Sequence, residues 1–304
     1  MPNIVLRDTL LQEEFEKKGY VQVAFLNEEQ VEYLKNMFFE TLAESGGYKT
    51  SDDADFKTES EITYDFTFID KNPDYKRKVF KIITEVFKQK ADEYLNDYTP
   101  IIANYIRKKE NGGEVPLHQN WAFVEEEKFT SVSIWVPLVD SNEENGTLQM
   151  VDNSHKKFGK IRGPLIPWEL DGIKNEIISN HLTPMNVKAG TGVILDDSIV
   201  HYSNINTTSG LRLTIQLILI PSCTHPVHYH FDRSKGTETV QVFETNQDFY
   251  MGFHPWLQPQ GMRQIKTEAY KPKKVSYEEF VKGLKGKRFD AKAGLIDKVM
   301  NIFK

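Results

Sequence analysis

The first hundred residues carry two kinds of hydrophobic spacing. Apolar residues three and four positions apart predict three amphipathic helices, over 8–18, 27–45 and 74–95. Asn27 stands where the N-cap of the second helix is expected. Residues 20–25 (YVQVAF) alternate between apolar and polar positions and predict a strand between the first two helices. Residues 46–60 are polar, contain glycine and have no period, so they predict a loop.

From about residue 99 the pattern becomes typical of β-structure. Short apolar or alternating runs predict strands over 100–107, 121–124, 130–137, 147–151, 184–187, 192–196, 199–204 and 211–220. Glycine- and asparagine-containing turns separate several of these runs. A helical start followed by many short strands predicts a mostly β protein with outer helices, either a barrel or a sandwich.

The chain contains no internal repeat and no linker long enough to divide it. We therefore expect one domain over residues 1–304, in which 1–98 form a helical support, 99–221 the β core and 222–304 a C-terminal extension. The extension mixes aromatic residues with a lysine-rich, helix-like end at 276–304, which is typical of a solvated face.

Composition narrows the class of protein. The 304 residues include 38 Lys and Arg against 44 Asp and Glu, a net charge of −6, which argues against a general nucleic-acid binder or a basic membrane-surface protein. The single cysteine, Cys223, excludes an intrachain disulfide framework. The sequence has no signal-peptide pattern and no long apolar segment, so we expect a cytoplasmic protein without a membrane partner.

The strongest candidate for chemistry is a pair of distant histidines. His118 is followed two residues later by Asn120, and His201 lies in a later predicted strand. Two histidines on separate strands with one oxygen-bearing side chain near the first form the ligand pattern of a non-haem iron(II) site. Alternate residues of an extended segment share a face, so Asn120 is expected beside His118. An amide offers only a neutral carbonyl oxygen, where a carboxylate would offset the charge of the metal.

Two other groups of residues are alternatives. Cys223, His225, His228 and His230 lie in the run CTHPVHYHFD and could form part of a zinc site. Asp196, Asp197 and Ser198 precede His201 and allow a hydrolytic triad, although the chain has no G-x-S-x-G elbow. The acidic pair is better explained as a strand-end turn that binds backbone amides.

Several motifs together resemble one known family. PLHQNWAF, SVSIWVPLVDSNEENGTLQMVDNSHK and AGTGVILDDSIVHYSN…GLRLTIQL, with FEKKGYVQVAFLNEEQVEYLK before them, are similar to the phytanoyl-CoA dioxygenase-like family of iron(II)/2-oxoglutarate oxygenases, over residues 14–221. The resemblance implies a double-stranded β-helix (jelly roll, cupin-like) with outer helices.

The resemblance also implies roles for particular residues. His118 and His201 would bind iron, and Arg212 would pair with the distal carboxylate of 2-oxoglutarate, which suits a guanidinium fork. Ser203 would add a hydrogen bond to the same carboxylate, and Trp135 would lie near the co-substrate or in the core.

The third iron ligand departs from the family pattern. The family reads His-x-Asp, whereas this chain reads His118-Gln119-Asn120. Asn120 could be a working ligand, an engineered substitution, or the mark of a member that has lost oxygenase activity. The same family includes halogenases with Gly or Ala at this position, but an amide that binds iron leaves no vacancy for halide.

Three functional hypotheses follow. The first is an iron(II)- and 2-oxoglutarate-dependent oxygenase that hydroxylates a small molecule with molecular oxygen. The second is a non-catalytic member that binds a small ligand in the same pocket. The third is a cupin-like metalloenzyme that uses His118 and His201 without 2-oxoglutarate. Aromatic residues near the barrel mouth are candidates for substrate contact, or else for the core: Tyr64, Phe66, Phe68, Trp121 and Phe123. The oligomeric state is not predicted.

Overall fold

A computed structural model describes residues 4–49, 65–231 and 239–290. The helices within this part are α1 (Thr9–Lys18), α2 (Glu28–Thr41), α3 (Pro73–Tyr94), α4 (Lys174–Asn180), α5 (Gln247–Gly252) and α6 (Tyr277–Leu284). The strands are β1 (Tyr20–Ala24), β2 (Asp65–Phe66), β3 (Tyr98–Lys108), β4 (Val115–His118), β5 (Val132–Pro137), β6 (Leu148–Val151), β7 (Leu182–Pro184), β8 (Thr191–Asp196), β9 (His201–Ser203), β10 (Arg212–Pro221), β11 (Val227–His230), β12 (Thr239–Glu244) and β13 (Arg263–Ala269).

Local capping residues explain where the long N-terminal helices begin. The Asp8 side chain accepts hydrogen bonds from the first backbone N–H groups of α1. Asn27 and Gln30 form a capping box at the start of α2, which confirms the predicted N-cap. The Asn72 side chain caps α3, and Pro73 occupies its first turn, where a missing N–H costs no hydrogen bond.

The strands form three antiparallel sheets. The largest has six strands in the order β1-β8-β5-β10-β3-β2, and a second has four in the order β4-β9-β6-β7. β11, β12 and β13 form a separate three-stranded sheet from the C-terminal part. The first two sheets are the faces of the jelly roll, a mostly β fold with outer helices, as the sequence predicts.

Each face of the six-stranded sheet is covered by apolar side chains. On its outer side, fully buried residues of α3 such as Val79 and Phe87 share a cluster with Ile134 of β5 and Ile215 of β10. Burial of a side chain of this kind contributes about 1.5–3 kcal/mol. On the inner side, a second cluster joins both sheets and contains Tyr20, Trp135, Leu148, Met150, Met185, Val193, Leu195 and Ile199.

The structure corrects several sequence-based boundaries. The predicted strand over 121–124 is wrong, because this apolar run is irregular and its buried side chains fill two core clusters. Short, proline-containing β4 was not predicted, nor were the three strands of the C-terminal sheet. The segment 1–98 contributes β1 to the main sheet as well as helices. Parts of the predicted loop 46–60 and of the helix-like end 276–304 lie outside the described residues.

Within the described ranges, none of the helices is both long enough and apolar enough to cross a membrane. The cytoplasmic location and the division into one domain remain predictions.

Candidate metal centre and co-substrate pocket

The two predicted histidines are brought together by strand pairing in the four-stranded sheet. β4 and β9 are antiparallel, and His118 is directly opposite His201 in their register. The centroids of the two imidazole rings are 4.1 Å apart. Residues that are 83 positions apart in the sequence therefore form one adjacent pair, as expected for two ligands of one ion.

Backbone hydrogen bonds fix both rings in the same tautomer. His118 Nδ1 lies 2.7 Å from the carbonyl oxygen of Pro116, and His201 Nδ1 lies 2.9 Å from that of Ile199. A carbonyl can only accept, so each Nδ1 carries the proton and each Nε2 keeps its lone pair. Metal-binding histidines in proteins are oriented in this way by a hydrogen bond on the nitrogen that does not bind the metal.

Burial also keeps the two rings neutral. Burial lowers the pKa of His118, and the pKa of His201 lies well below its usual range because of burial and then the neighbouring His118. A neutral imidazole is the form that binds a metal ion.

Asn120 lies beside this pair in a defined orientation. Its Nδ2 donates to Asp197 Oδ1 at 2.8 Å and to Ser133 Oγ at 3.2 Å. The Asn120 side chain also lies close enough to the His118 ring to affect its pKa. Because Nδ2 is directed at Ser133 and Asp197, the amide oxygen is the atom that faces His118. Two imidazole Nε2 atoms and one carbonyl oxygen thus lie together.

One cavity of about 90 Å³ contains all six residues predicted from the sequence. Its lining consists of Phe66, Ile106, Val115, His118, Asn120, Trp135, Leu148, Leu195, His201, Ser203, Arg212 and Gln216. The structure therefore brings the predicted iron ligands and the predicted co-substrate residues to a single pocket between the two sheets.

Arg212 begins β10 and is 2% exposed. Its Nε donates to the carbonyl oxygen of Gly146 at 3.2 Å, Nη1 to Thr214 Oγ1 at 3.1 Å and Nη2 to Ser203 Oγ at 2.8 Å. No Asp or Glu within the described residues forms a salt bridge with it, and burial lowers the pKa of the guanidinium to about 9. A buried cation without an acidic partner is costly, so the pocket is suited to an anionic ligand.

The carbonyl oxygen of Gly146 accepts a hydrogen bond from the Arg212 guanidinium, and the turn that places it requires glycine. Its φ is 73°, and a Cβ there would overlap the carbonyl oxygens of Asn204 and Ile205. Only glycine adopts this conformation without strain, which explains glycine in the turn before β6.

The Ser203 hydroxyl lies at the junction of three groups of the pocket, and its hydrogen bond to the co-substrate remains a prediction. The hydroxyl donates to the Gly146 carbonyl at 2.7 Å and accepts from Arg212 and from Lys108 Nζ, the latter at 2.5 Å. The hydroxyl proton is therefore already engaged, and Ser203 orients the guanidinium. Trp135 lies in the inner core cluster, and its ring is 5.9 Å from Arg212 Cζ. Its contact with the co-substrate remains a prediction.

The structure also reveals polar residues that the sequence analysis did not assign. Lys108 is fully buried opposite Arg212, and burial together with the Arg212 charge lowers its pKa to about 5. Gln216 and Thr214 follow Arg212 at alternate positions of an otherwise apolar strand. The sequence contained a signal for these residues. Arg212, Thr214 and Gln216 alternate with apolar residues, so they share one face of a buried strand, as expected for residues that line a polar pocket.

The alternative sites are not assembled. Within the described residues, no group of three His, Cys, Asp or Glu side chains is placed to hold a metal ion. His228 is packed among aromatic rings, including Trp121, while Cys223 is exposed. Asp196 accepts from the backbone N–H and hydroxyl of Ser198, which is the turn interpretation of the acidic pair. An iron site in this part of the chain therefore depends on the Asn120 amide.

A larger cleft of about 790 Å³ adjoins the other side of His118. Trp121 lines this cleft, whereas Phe66 lines the smaller cavity. Phe68 and Phe123 belong to a buried aromatic cluster and are core residues. Tyr64 lies outside the described residues.

The fold and the site define a jelly-roll protein with a two-histidine centre and a buried arginine in one pocket. The family of phytanoyl-CoA dioxygenase (PhyH) matches residues 15–214, a range that includes the histidine pair, Asn120 and Arg212. The chain belongs to this family, which confirms the resemblance drawn from its motifs.

Curated relatives agree with this assignment over part of their length. A phytanoyl-CoA dioxygenase domain-containing protein 1 homolog from Dictyostelium discoideum is 31% identical over 116 residues, covering 36% of this chain and 41% of the relative. Phytanoyl-CoA dioxygenase domain-containing protein 1 from Danio rerio is 29% identical over 145 residues, covering 44% and 50%. The chain thus spans half or less of the curated relatives that it matches.

Solved structures with the same fold include two enzymes of nogalamycin biosynthesis. The epimerase SnoN, in complex with Fe3+, alpha ketoglutarate and nogalamycin RO, has a TM-score of 0.54 at 15% identity, covering 89% of this chain and 96% of SnoN. The carbocyclase SnoK, a non-heme alpha ketoglutarate dependent enzyme, has a TM-score of 0.52 at 14% identity, covering 73% and 86%. These similarities establish the jelly-roll fold.

Proposed function

We propose that this protein is an iron(II)- and 2-oxoglutarate-dependent oxygenase that hydroxylates a small molecule. The observation that carries the proposal is the shared pocket of the histidine pair and Arg212. Its two walls offer complementary chemistry, with neutral nitrogen ligands at one end and an unbalanced cation at the other. A short dianion that chelates a metal through one end and carries a carboxylate at the other matches both.

The residues present fit iron(II). His118 and His201 each keep an unprotonated Nε2, and the Asn120 amide oxygen faces His118. Nitrogen and oxygen ligands of this kind with open positions suit non-haem iron(II). Bound iron with 2-oxoglutarate and molecular oxygen supplies the oxidising chemistry and yields succinate and carbon dioxide. The protein supplies ligand orientation through the Pro116 and Ile199 carbonyls.

The residues present also fit 2-oxoglutarate. Arg212 would hold the distal carboxylate, with Ser203 and the Gly146 carbonyl fixing the orientation of the guanidinium. Trp135 is buried and lines the pocket beside Arg212, where it would shield the ion pair with a bound carboxylate from water. Exclusion of water strengthens a charge-assisted hydrogen bond.

The substrate is proposed to enter through the cleft of about 790 Å³ that shares His118 with the metal centre. Trp121 and Trp168 provide apolar walls there. The remaining lining is mixed, with Glu169 and six basic side chains: Lys157, Lys160, Arg162, Lys174, Lys271 and Lys273. Pockets of this size bind small molecules.

One alternative rests on a specific observation. Asn120 brings no negative charge to the metal centre. The same pocket would therefore also suit a family member that binds 2-oxoglutarate or another small ligand without turnover. The two functions differ in one measurement, which is the formation of succinate.

The test uses the full chain, iron(II) and 2-oxoglutarate without oxygen, followed by exposure to oxygen. Formation of a visible iron-to-2-oxoglutarate charge-transfer band, and then of succinate, is the expected result. His201→Ala should abolish both signals, whereas His228→Ala, which removes a buried histidine elsewhere, should keep both.

Two outcomes would count against the proposal. A band without succinate under all substrates tried supports the binding protein. Absence of iron binding in the unmodified chain refutes the metal centre itself.

A further inference from the structure

The orientation of Asn120 depends on a buried carboxylate that does not line the pocket. Asp197 is 0% exposed and follows β8. Its Oδ1 accepts from Asn120 Nδ2 at 2.8 Å and from Ser133 Oγ at 2.6 Å. One carboxyl oxygen of Asp197 therefore accepts from both Asn120 and Ser133, and the Ser133 hydroxyl also accepts from Asn120.

The network continues away from the metal centre. Gln216 Nε2 donates to Ser133 Oγ at 3.2 Å, and Ser133 is itself 0% exposed. The Ser133 hydroxyl proton is used on Asp197, so its oxygen accepts from Asn120 and Gln216. Both acceptors of this network lie beside the Asn120 amide nitrogen. They therefore hold the NH₂ group on their side and the carbonyl oxygen on the opposite side.

We propose that Asp197 is a positioning residue that directs the Asn120 carbonyl oxygen towards the His118–His201 centre. The sequence His118-x-Asn120 has lost the carboxylate of the family pattern at the ligand position. Asp197 places a carboxyl group one hydrogen bond further out. Because its Oδ1 accepts from Asn120 Nδ2, it holds the amide nitrogen away from the metal centre and leaves the carbonyl oxygen as the atom that can bind.

An apolar neighbour would not have this effect. Without Asp197, the amide could rotate by half a turn and present its NH₂ group to the metal, and an NH₂ group cannot bind a cation. The inference rests on the proposed function, because it concerns the same metal centre. In this proposal, Asp197 holds Asn120 in the orientation that binds a metal. A chain that had only lost the carboxylate at this position would have no such group.

Neighbouring Asp196 offers a matched control. It is 2% exposed, and its Oδ1 accepts from the Ser198 backbone and hydroxyl rather than from Asn120. Asp196→Asn therefore removes the same formal charge one residue away and leaves the Asn120 network intact.

The experiment is anaerobic titration of the full chain with Co(II), read by its visible ligand-field absorption and by calorimetry. Asp197→Ala is expected to weaken Co(II) binding about 10- to 100-fold, as for other groups that orient metal ligands, and to change the Co(II) spectrum. Asp197→Asn, which keeps the shape of the side chain, should weaken binding several-fold. Asp196→Asn should change neither the affinity nor the spectrum.

A reciprocal exchange provides the decisive rescue. In the double variant Asn120→Asp, Asp197→Asn, the hydrogen bond reverses direction and the carboxylate faces the metal. We expect this variant to bind Co(II) at least as tightly as the unmodified chain.

The inference is overturned if both Asp197 variants match Asp196→Asn, or if the double variant binds more weakly than Asp197→Asn alone. If the unmodified chain fails to bind Co(II), the proposed function fails and the inference with it. If the alanine variant does not fold, Asp197→Asn and the double variant decide the question.

Discussion

Replacement of Arg212 tests the co-substrate assignment most directly. Arg212→Met keeps an apolar stem of similar length and removes the guanidinium from the pocket that it shares with the histidine pair. The loss of the distal-carboxylate contact should weaken 2-oxoglutarate binding.

The magnitude follows from the chemistry of the contact. A hydrogen bond to a charged group contributes about 1.5–3 kcal/mol, so a two-pronged guanidinium–carboxylate contact is worth at least about 3 kcal/mol. This energy corresponds to roughly a 100-fold change in the dissociation constant. Arg212→Lys should recover only part of it, because an ammonium cannot reproduce the planar fork.

A ligand without the distal carboxylate separates this contact from general damage to the pocket. 2-Oxopentanoate keeps the metal-chelating end of 2-oxoglutarate and has a methyl group at the other end. Calorimetry with both ligands on both proteins, each loaded anaerobically with iron(II), forms a double-mutant cycle. We expect the unmodified chain to prefer 2-oxoglutarate by about 3 kcal/mol and the Arg212→Met variant to have little preference.

An equal loss of affinity for both ligands in the Met variant would refute the assignment, because it would show that Arg212 supports the pocket without touching the carboxylate. An unchanged preference for 2-oxoglutarate would refute it as well, and would favour a cupin-like metalloenzyme.

Three further predictions concern stability and metal content. Burial lowers the pKa of Lys108 to about 5, so between about pH 5 and the ordinary pKa of lysine the unfolded chain holds one more proton than the folded one, and the free energy of unfolding should rise with pH. Lys108→Met should reduce this slope by about 1.4 kcal/mol per pH unit in urea titrations between pH 6 and 8, whereas exposed Lys109→Met should leave it unchanged. Gly146→Ala, at a φ of 73°, should lower the free energy of unfolding by about 1–3 kcal/mol and also weaken 2-oxoglutarate binding, and normal binding would contradict the role of its carbonyl. Replacement of His228 and His230 by Ala should leave the iron content of the purified protein unchanged, and loss of metal would revive the zinc hypothesis.

The sequence by itself determined the fold class and the ligand types. Helical spacing and the Asn27 cap predicted α2 correctly, because an amphipathic helix with a good cap is specified by residues close in the chain. The motif around His118 and the one around His201 and Arg212 predicted a common pocket, since their order and spacing are typical of one family. The structure places these residues together.

Local pattern failed where distant packing decides conformation. Residues 121–124 are as apolar as a strand, but they are irregular chain whose buried side chains fill two core clusters, and their contact with β11 is a single backbone hydrogen bond from Val227 to Phe123. β4 is the opposite case. Pro116 argues against a strand in the sequence, but the segment is a strand because it pairs with β9.

Only the tertiary structure decided how Asn120 functions in its site. The amide is symmetric enough that sequence cannot say which of its two ends faces a metal. The answer depends on Asp197 and Ser133, which are 77 and 13 positions away in the chain. The same holds for Arg212, because the absence of an acidic partner among the described residues follows from which strands surround it. Hydrogen-bond direction and burial of charge are properties of the packed chain, so a local sequence motif cannot specify them.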